Sequence, residues 1–141
     1  MRVVRELLNT QDPLWSLSPK DSVFDALQTL SDHDVGALVV LDQGKLVGVL
    51  SERDYTRKIA LAGKSSKDTL VSEIMTSKVL TVDAHTRAED CMALMSQKKI
   101  RHLPVMDGDK VLGMISIRDL LDEIIADQEA TISQLQSYIV S

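Results

Sequence analysis

The sequence predicts a mixed α/β (α+β) fold made of two tandem copies of one small unit, each a β-sheet flanked by two helices. Residues 17–60 align with residues 82–125 without a gap. Each copy has the hydrophobic pattern of a helix, two strands and a second helix. Two copies favour a pair related by a pseudo-two-fold axis, whereas an open solenoid needs three or more.

The first copy shows each element in turn. Apolar residues recur at helical spacing from Val23 to Leu30, and Ser22-x-x-Asp25 ahead of them has the pattern of a capping box. Two β-rich runs, GALVVLD and KLVGVLS, are separated by a turn that contains Gly44, which predicts a hairpin. A second helix follows, and a short extended piece precedes the copy.

The second copy repeats this order. Its first helix is predicted from Ala88 to Met95, with Thr86-x-x-Glu89 as a capping box, and its hairpin is HLPVMD followed by KVLGMIS. A loop marked by Gly63 and two serines lies between the copies. We therefore expect one domain over residues 8–66, a second over 75–131, and a helical extension over 132–141.

The C-terminal stretch has a helical pattern with an apolar stripe. The stripe consists of Leu121, Ile125, Ile132, Leu135 and Ile139, with Gln128 at the remaining position. These positions fit a heptad seam, but the run is shorter than the three to four heptads that indicate a coiled coil. A helix packed on the protein's own body or on a second copy is favoured.

Composition and charge exclude several classes of function. The chain is 44% hydrophobic and 26% charged, with a net charge of −5, which disfavours generic nucleic-acid binding. Cys91 is the single cysteine, so no intrachain disulfide forms and a cytoplasmic location is expected. The N-terminal apolar run is too short for a signal peptide, and no stretch approaches the roughly 20 apolar residues of a membrane span.

No catalytic or metal-binding pattern is visible. The three histidines are scattered, which makes a zinc site unlikely on spacing, and neither a catalytic triad nor a phosphate-binding glycine loop occurs. Cys91 lies on the apolar face of a predicted helix, so we expect a core residue rather than a nucleophile. The sequence predicts a protein that is not an enzyme and holds no catalytic cofactor.

A polar cluster recurs where each hairpin meets its second helix. It consists of Ser51, Arg53 and Asp54 in the first copy, and of Ser116, Arg118 and Asp119 in the second. Serine is a preferred N-cap and the aspartate favours the helix dipole, so capping alone could explain both clusters. The same groups also suit a ribonucleotide, because a helix N-terminus with an arginine attracts phosphate and a carboxylate accepts hydrogen bonds from a ribose diol.

The pattern Gly-apolar-apolar-Ser-x-x-Asp after a hairpin, with RHLPVMD upstream, resembles the CBS domain. Two such domains in tandem form a Bateman module, and the chain looks most like stand-alone bacterial CBS-pair proteins. The resemblance implies a regulatory module that binds AMP, ADP or ATP, with S-adenosylmethionine or NAD also possible, in clefts between the two domains. It also implies a homodimer that signals to a separate, unidentified protein.

The resemblance further implies two sets of ligand-binding residues, each drawn from both copies. The first cleft would pair Ser51, Arg53 and Asp54 with Val79, Leu80, Ile100, Arg101, His102 and Pro104. The second would pair Ser116, Arg118 and Asp119 with Leu14, Trp15, Val35, Gly36 and Ala37. Because Arg101 and His102 correspond to Gly36 and Ala37, we expect the first cleft to prefer phosphorylated ligands.

A scaffold or interaction module with degenerate clefts is the alternative from a different class. The Ser, Arg and Asp residues present in both copies argue against it. A thermal-shift panel of adenosyl ligands would distinguish the two hypotheses, because a scaffold would show no shift with any of them.

Overall fold

A computed structural model describes residues 2–8 and 14–140, with the backbone alone at Val140. The elements, in chain order, are α1 (Val4–Leu7), β1 (Ser16–Leu17), α2 (Val23–His33), β2 (Ala37–Asp42), β3 (Lys45–Ser51), α3 (Glu52–Tyr55) with a π-helical turn (Thr56–Ala60), α4 (Val71–Ile74), β4 (Val82–Asp83), α5 (Ala88–Lys98), β5 (His102–Asp107), β6 (Lys110–Ser116) and α6 (Ile117–Val140). The predicted order of helix, hairpin and helix is confirmed in both copies.

The chain divides into two compact units. Among the described residues, the first-repeat unit comprises 14–80 and 109–111, and the second-repeat unit comprises 2–8, 81–108 and 112–140. The short N-terminal segment therefore belongs to the second-repeat unit. The predicted domain bounds of 8–66 and 75–131 leave residues 2–7 of this segment out of both domains, and they stay a prediction.

Each unit contains a three-stranded sheet, ordered β1-β2-β3 in the first and β4-β5-β6 in the second. The short edge strand is parallel to the next one, and β2 runs antiparallel to β3 with Ala37 opposite Ser51. Gln43 and Gly44 at the tip of this hairpin have φ of 51° and 80°. Positive φ at both central residues is what a two-residue hairpin turn of the right twist requires.

Each unit has its own core of mainly aliphatic side chains. The first-repeat core contains Leu17, Val23, Ala26, Leu30, Leu38, Val40, Leu50, Ile59, Val71 and Ile74. The second-repeat core contains Val4, Val82, Ala84, Ala88, Cys91, Met95, Leu103, Val105, Ile115 and Leu120. The prediction that Cys91 is a core residue is confirmed: it is fully buried, and this burial, with the nearby Asp90 carboxylate, raises the pKa of its thiol to about 11.

Of the two predicted capping boxes, Thr86-x-x-Glu89 is wrong, and Ser22-x-x-Asp25 is confirmed only for its N-cap bond. Ser22 caps α2, because its Oγ accepts from the backbone N–H of Asp25 at 3.0 Å. In the second copy, however, α5 begins at Ala88 with Arg87 as the N-cap and no side-chain cap. The alignment of 17–60 with 82–125 places Arg87, not Thr86, at the position of Ser22, so Thr86 lies too early in the chain to cap.

Two short segments, residues 3–8 and 70–75, match each other in a register that differs from that of the main repeat. In the first-repeat unit, the backbone N–H of Val71 donates to the carbonyl oxygen of Asp21 at 2.8 Å. In the second-repeat unit, the backbone N–H of Val4 donates to the carbonyl oxygen of Thr86 at 2.8 Å. Val4 and Val71 are both fully buried. Each core therefore takes a helical turn from outside its own copy of the repeat.

A glycine of β3 makes room for the segment that carries α4. A Cβ on Gly48 would lie 2.6 Å from Sδ of Met75 and 3.0 Å from the carbonyl oxygen of Thr76. Thr76 pairs with Val49 through two backbone hydrogen bonds of 2.9 and 3.0 Å. The corresponding Cβ on Gly113 of β6 would lie 3.3 Å from Cδ2 of Leu8. The shared glycine thus serves close packing at the same place in each unit.

Lys58 of the first copy and Glu123 of the second occupy equivalent positions in the repeat. Each holds a neighbouring segment by hydrogen bonds, although the two side chains carry opposite charges. Lys58 Nζ donates to the carbonyl oxygen of Ile74 at 2.8 Å. Glu123, 9% exposed, accepts from Nη2 of Arg2 at 2.8 Å and from its Nε at 3.1 Å. The hydrogen bonds and charge of Arg2 lower the pKa of Glu123 below its ordinary value.

Replacing Glu123 with Gln is expected to remove a pH-dependent part of the stability. Because the folded pKa lies below the unfolded value of about 4.3, the contribution is present above that value and is lost as the pH falls through the folded pKa. The difference in unfolding free energy between wild type and Glu123→Gln should therefore narrow from pH 7 to pH 3 in urea titrations. Glu129→Gln, exposed on the same helix, is the control, and a difference that stays constant with pH would contradict the assignment.

The last helix, α6, is one continuous element of 24 residues. The helical prediction for the C-terminal stretch is confirmed. Residues 125–139 are all exposed, so this part of the helix does not pack on the protein's own body. Among the described residues, no helix is both long enough and apolar enough to span a membrane.

Candidate functional site

Both predicted polar clusters lie at the junction of a strand and a helix. We call Ser51, Arg53 and Asp54 the first cluster, and Ser116, Arg118 and Asp119 the second cluster. In the first, Ser51 Oγ accepts from the backbone N–H of Asp54 at 3.2 Å and donates to its Oδ2 at 3.0 Å. The Ser51 backbone N–H also donates to that oxygen, at 3.0 Å.

The second cluster repeats this geometry. Ser116 donates through its backbone N–H and its Oγ to Oδ2 of Asp119, both at 2.9 Å. The Asp119 backbone N–H donates back to Ser116 Oγ at 3.2 Å. The capping interpretation of both clusters is therefore confirmed, and a capping box of this kind contributes roughly 1 kcal/mol per helix.

Each cluster also lies beside the start of the first hairpin strand of its own unit, β2 or β5. The backbone N–H of Glu52 donates to the carbonyl oxygen of Gly36 at 3.0 Å. At the matching position, the N–H of Ile117 donates to the carbonyl oxygen of Arg101 at 2.8 Å. The structure thus brings the Gly36 backbone to the first cluster and the Arg101 backbone to the second.

These neighbours differ from the sets that the family resemblance implied. The resemblance placed Arg101 and His102 with Ser51, and Gly36 and Ala37 with Ser116. Within each unit, the hydrogen bonds join the cluster to the residues that the resemblance gave to the other cleft. The pairing across the repeats stays a prediction.

The two aspartates have different surroundings. Asp54 is 8% exposed, and its Oδ1 accepts from Thr76 Oγ1 at 3.2 Å and pairs with Lys58 Nζ at 3.0 Å. Both of its oxygens are therefore engaged. Asp119 is half-buried, and within residues 2–8 and 14–140 the only donor to its carboxylate is Ser116, at Oδ2. The second copy has Glu123 where the first has Lys58.

The arginines and the histidine are placed where a ligand could reach them. Arg53, Arg101 and Arg118 are exposed, and His102 is half-buried. Arg101 and Arg118 flank the hydrogen bond between the N–H of Ile117 and the strand start. A guanidinium is the preferred donor for a phosphate group, because it can form two parallel hydrogen bonds. The second-repeat junction therefore carries two arginines in one neighbourhood.

The remaining predicted residues line the units at different depths. Ala37 and Pro104 are buried, Leu14, Trp15, Val35, Gly36, Val79 and Ile100 are half-buried, and Leu80 is exposed. The Trp15 ring stacks on the His33 ring, with centroids 4.1 Å apart and planes at 19°. One face of the Trp15 ring, in a residue that the resemblance assigned to the second cleft, is thus occupied by His33.

Sequence reasoning missed three partners of the site. Lys58 follows Asp54 at i,i+4 on the same helical stretch, a spacing that could have identified the ion pair. Thr76 lies 22 residues from Asp54, and no local pattern points to it. His33 ends α2, and its stacking on Trp15 depends on how that helix packs, so the sequence carries no signal for it.

The fold and the junctions define a class of protein, and comparison with known families names it. The CBS domain family model matches residues 4–61 and 71–126. The chain therefore belongs to the CBS domain family, with two domains in tandem, which confirms the family predicted from the sequence. The two matches begin at α1 and at α4, so each family unit includes the helical turn that packs in the other copy's core.

Known relatives are similar over most of the chain. CBS domain-containing protein CBSX3, mitochondrial, of Arabidopsis thaliana is 40% identical over 131 residues, which cover 89% of this chain and 63% of that protein. The chain thus spans less than two thirds of that relative.

Solved structures show the same fold. A protein with CBS domains from Burkholderia ambifaria MC40-6 is 42% identical, with a TM-score of 0.83 over 89% of this chain and 96% of that one. The CBS domain pair of protein MJ0100 was solved in complex with 5′-methylthioadenosine and S-adenosyl-L-methionine. It is 24% identical, with a TM-score of 0.78 over 91% of this chain and 98% of that one, a likeness that concerns the fold.

Proposed function

We propose that this CBS pair is a non-catalytic regulatory module that binds an adenosine-containing ligand and signals to a separate protein. The observation that carries the proposal is the Ser-x-Arg-Asp junction, built twice with the same hydrogen bonds beside a strand start. The complex of the MJ0100 pair with two adenosyl compounds supports this class of ligand. A ligand that binds one conformation better shifts the population toward it, and the partner reads that shift.

The second cluster is the stronger candidate for the ligand. A ribose diol needs an acceptor, and Asp119 has an oxygen that no donor among the described residues engages, whereas Thr76 and Lys58 engage the matching oxygen of Asp54. Arg101 and Arg118 at this junction are suitable donors to phosphate. In this proposal Arg101 and His102 belong with the second cluster. We therefore expect the second cluster, rather than the first cleft, to prefer phosphorylated ligands.

Titration calorimetry of the full chain with adenosine, AMP, ADP, ATP, S-adenosylmethionine and NAD tests the proposal. We expect Asp119→Asn to weaken binding of the preferred ligand at least tenfold, because the charged acceptor for the diol is lost. Asp54→Asn should leave that affinity within about twofold. The side-chain oxygen of asparagine can still accept the hydrogen bonds that Ser51 and Ser116 donate to these positions, so we expect both variants to fold and to serve as a matched pair.

A second pair of titrations identifies the phosphate donor. Arg101→Gln should weaken binding of ATP and AMP but leave the affinity for adenosine unchanged, because only the phosphate loses a partner. Loss of affinity in Asp54→Asn with no change in Asp119→Asn would overturn the choice of cluster.

A scaffold without a physiological nucleotide is the competing function. The saturated carboxylate of Asp54 favours it for the first cluster, since that side chain already serves to hold Thr76 and Lys58. A ligand at 100 times its dissociation constant stabilises the protein by about 2.7 kcal/mol. The absence of a thermal shift with all six compounds would therefore favour the scaffold.

We also propose a cellular location, domain bounds and an oligomeric state. A single, fully buried cysteine suits the reducing cytoplasm. The two domains extend over residues 8–66 and 75–131. The protein forms a homodimer and regulates a separate protein. The ligand is AMP, ADP or ATP in the first instance, with S-adenosylmethionine and NAD as alternatives that the same titrations distinguish.

A further inference from the structure

The last helix continues well beyond the core of the second-repeat unit. Leu120 and Glu123 are the last buried residues of α6, and every residue from 125 to 139 is exposed. An isolated helix of about 12–15 residues is only marginally stable in water. The sequence of this segment is not polar all round, as a solvent-bridging helix would be, because it carries an apolar stripe.

The stripe has the composition of a two-stranded coiled coil. Its a positions are isoleucines, Ile125, Ile132 and Ile139, which are 51%, 54% and 80% exposed. Its d positions are Leu121, Gln128 and Leu135, the leucines being 46% and 58% exposed. A β-branched residue at a with leucine at d favours two parallel strands over trimers and tetramers. The repeat is short, so the pair would be weak without the rest of the chain.

The single polar position of the stripe indicates the orientation. In a parallel pair in register, the Gln128 amide lies opposite Gln128 of the second copy. An amide is both donor and acceptor, so two of them can bond to each other. In an antiparallel pair centred on the same stripe, Gln128 would face the apolar side chain at position 132, and its amide would be desolvated without a partner.

The flanking charges agree with this orientation. The e positions are Asp122, Glu129 and Gln136, and the g positions are Ile124, Thr131 and Tyr138. In a parallel pair each e position faces a g position of the other helix. The acidic side chains of Asp122 and Glu129 would then lie opposite uncharged residues. In an antiparallel pair e faces e, and Glu129 would lie near Glu129 of the second copy, where like charges repel.

We propose that α6 pairs with α6 of a second copy of this chain, as a parallel, in-register, two-stranded coiled coil over residues 121–139. The proposal is independent of the ligand-binding clusters. It places the interface on a surface that the chain's own units leave exposed, and it makes the C-terminal helix the element that sets the symmetry of the dimer.

Sedimentation of the full chain with a matched pair of variants tests the interface. Ile132→Glu places a charge in the seam, and Ser133→Glu places the same charge on the adjacent, outward-facing position. We expect wild type and Ser133→Glu to dimerise with affinities within about twofold, and Ile132→Glu to dimerise at least tenfold more weakly. A dimer equally strong in both variants, or a monomeric wild type, would overturn the proposal.

Disulfide cross-linking tests the orientation. Leu135→Cys should form a covalent dimer on mild oxidation, because position 135 faces itself in the parallel pair, whereas Ser133→Cys should not. The wild-type chain is the blank, since Cys91 is fully buried and does not reach a second copy. If Leu135→Cys cross-links only when mixed with Ile125→Cys, the helices are antiparallel and the proposed arrangement is wrong.

Discussion

Val4→Asp is expected to destabilise the second-repeat unit by about 4 kcal/mol or more, because it buries a carboxylate in an aliphatic core. Val4 is fully buried beside the residues of α5, β5 and β6 that make up that core. Its backbone N–H donates to the carbonyl oxygen of Thr86, in the other half of the chain. The first-repeat unit contains no part of this segment and should keep its stability.

Hydrogen exchange measured residue by residue distinguishes the two units. Amides of β6 should lose protection in Val4→Asp, while amides of β3 should keep it. Arg5→Asp is the matched control, because it places the same charge on the next, exposed residue. Val71→Asp is the equivalent change in the first-repeat unit. It should reduce the protection of the β3 amides and leave that of the β6 amides unchanged. Equal loss of protection in both strands would show that α1 does not belong to one unit.

Asp54→Ala is expected to cost more stability than Asp119→Ala, by about 3 kcal/mol against about 1 kcal/mol. Both substitutions remove a capping box, but only the first also deprives Thr76 Oγ1 and Lys58 Nζ of their shared acceptor. The Lys58 side chain is 44% exposed and can be rehydrated, which keeps the estimate below the cost of breaking a fully buried ion pair.

Chemical denaturation of the single variants and of Lys58→Met measures these terms. Lys58→Met keeps the length of the side chain and leaves the cap intact, while it removes both the ion pair with Asp54 and the hydrogen bond to the Ile74 carbonyl oxygen. Equal losses for Asp54→Ala and Asp119→Ala would mean that the two aspartates have the same role, and the structural account of the first cluster would then be wrong.

The gapless repeat explains how much could be predicted from the sequence. It placed both hairpins and both capping serines at the helix starts, because these depend on local hydrogen bonds between residues close in the chain. The alignment of the two copies did not identify the α1 and α4 segments, because they are short and match each other in a different register. Whether such a turn packs on one unit or another depends on a buried valine, which no local pattern reveals.

The site was predicted in part for the same reason. The clusters themselves follow from spacing along one junction. The i,i+4 relation of Asp54 to Lys58 is also a matter of spacing, but the sequence analysis missed it. The second acceptor bond of Asp54 comes from Thr76, beyond α4, and the stacking of Trp15 on His33 joins an edge strand region to a helix end. Contacts of this kind are set by tertiary packing, so no local pattern in the sequence reveals them.

The position of α1 has a consequence for how the chain is synthesised. Val4 is synthesised well before Leu120, which completes the core that buries it. At about 5–20 residues per second, that interval is roughly 6–23 s. The first-repeat unit draws mainly on one continuous stretch of chain and can mature early. The N-terminal turn cannot pack until that unit is complete, so the Val4 side chain stays in contact with water throughout this interval.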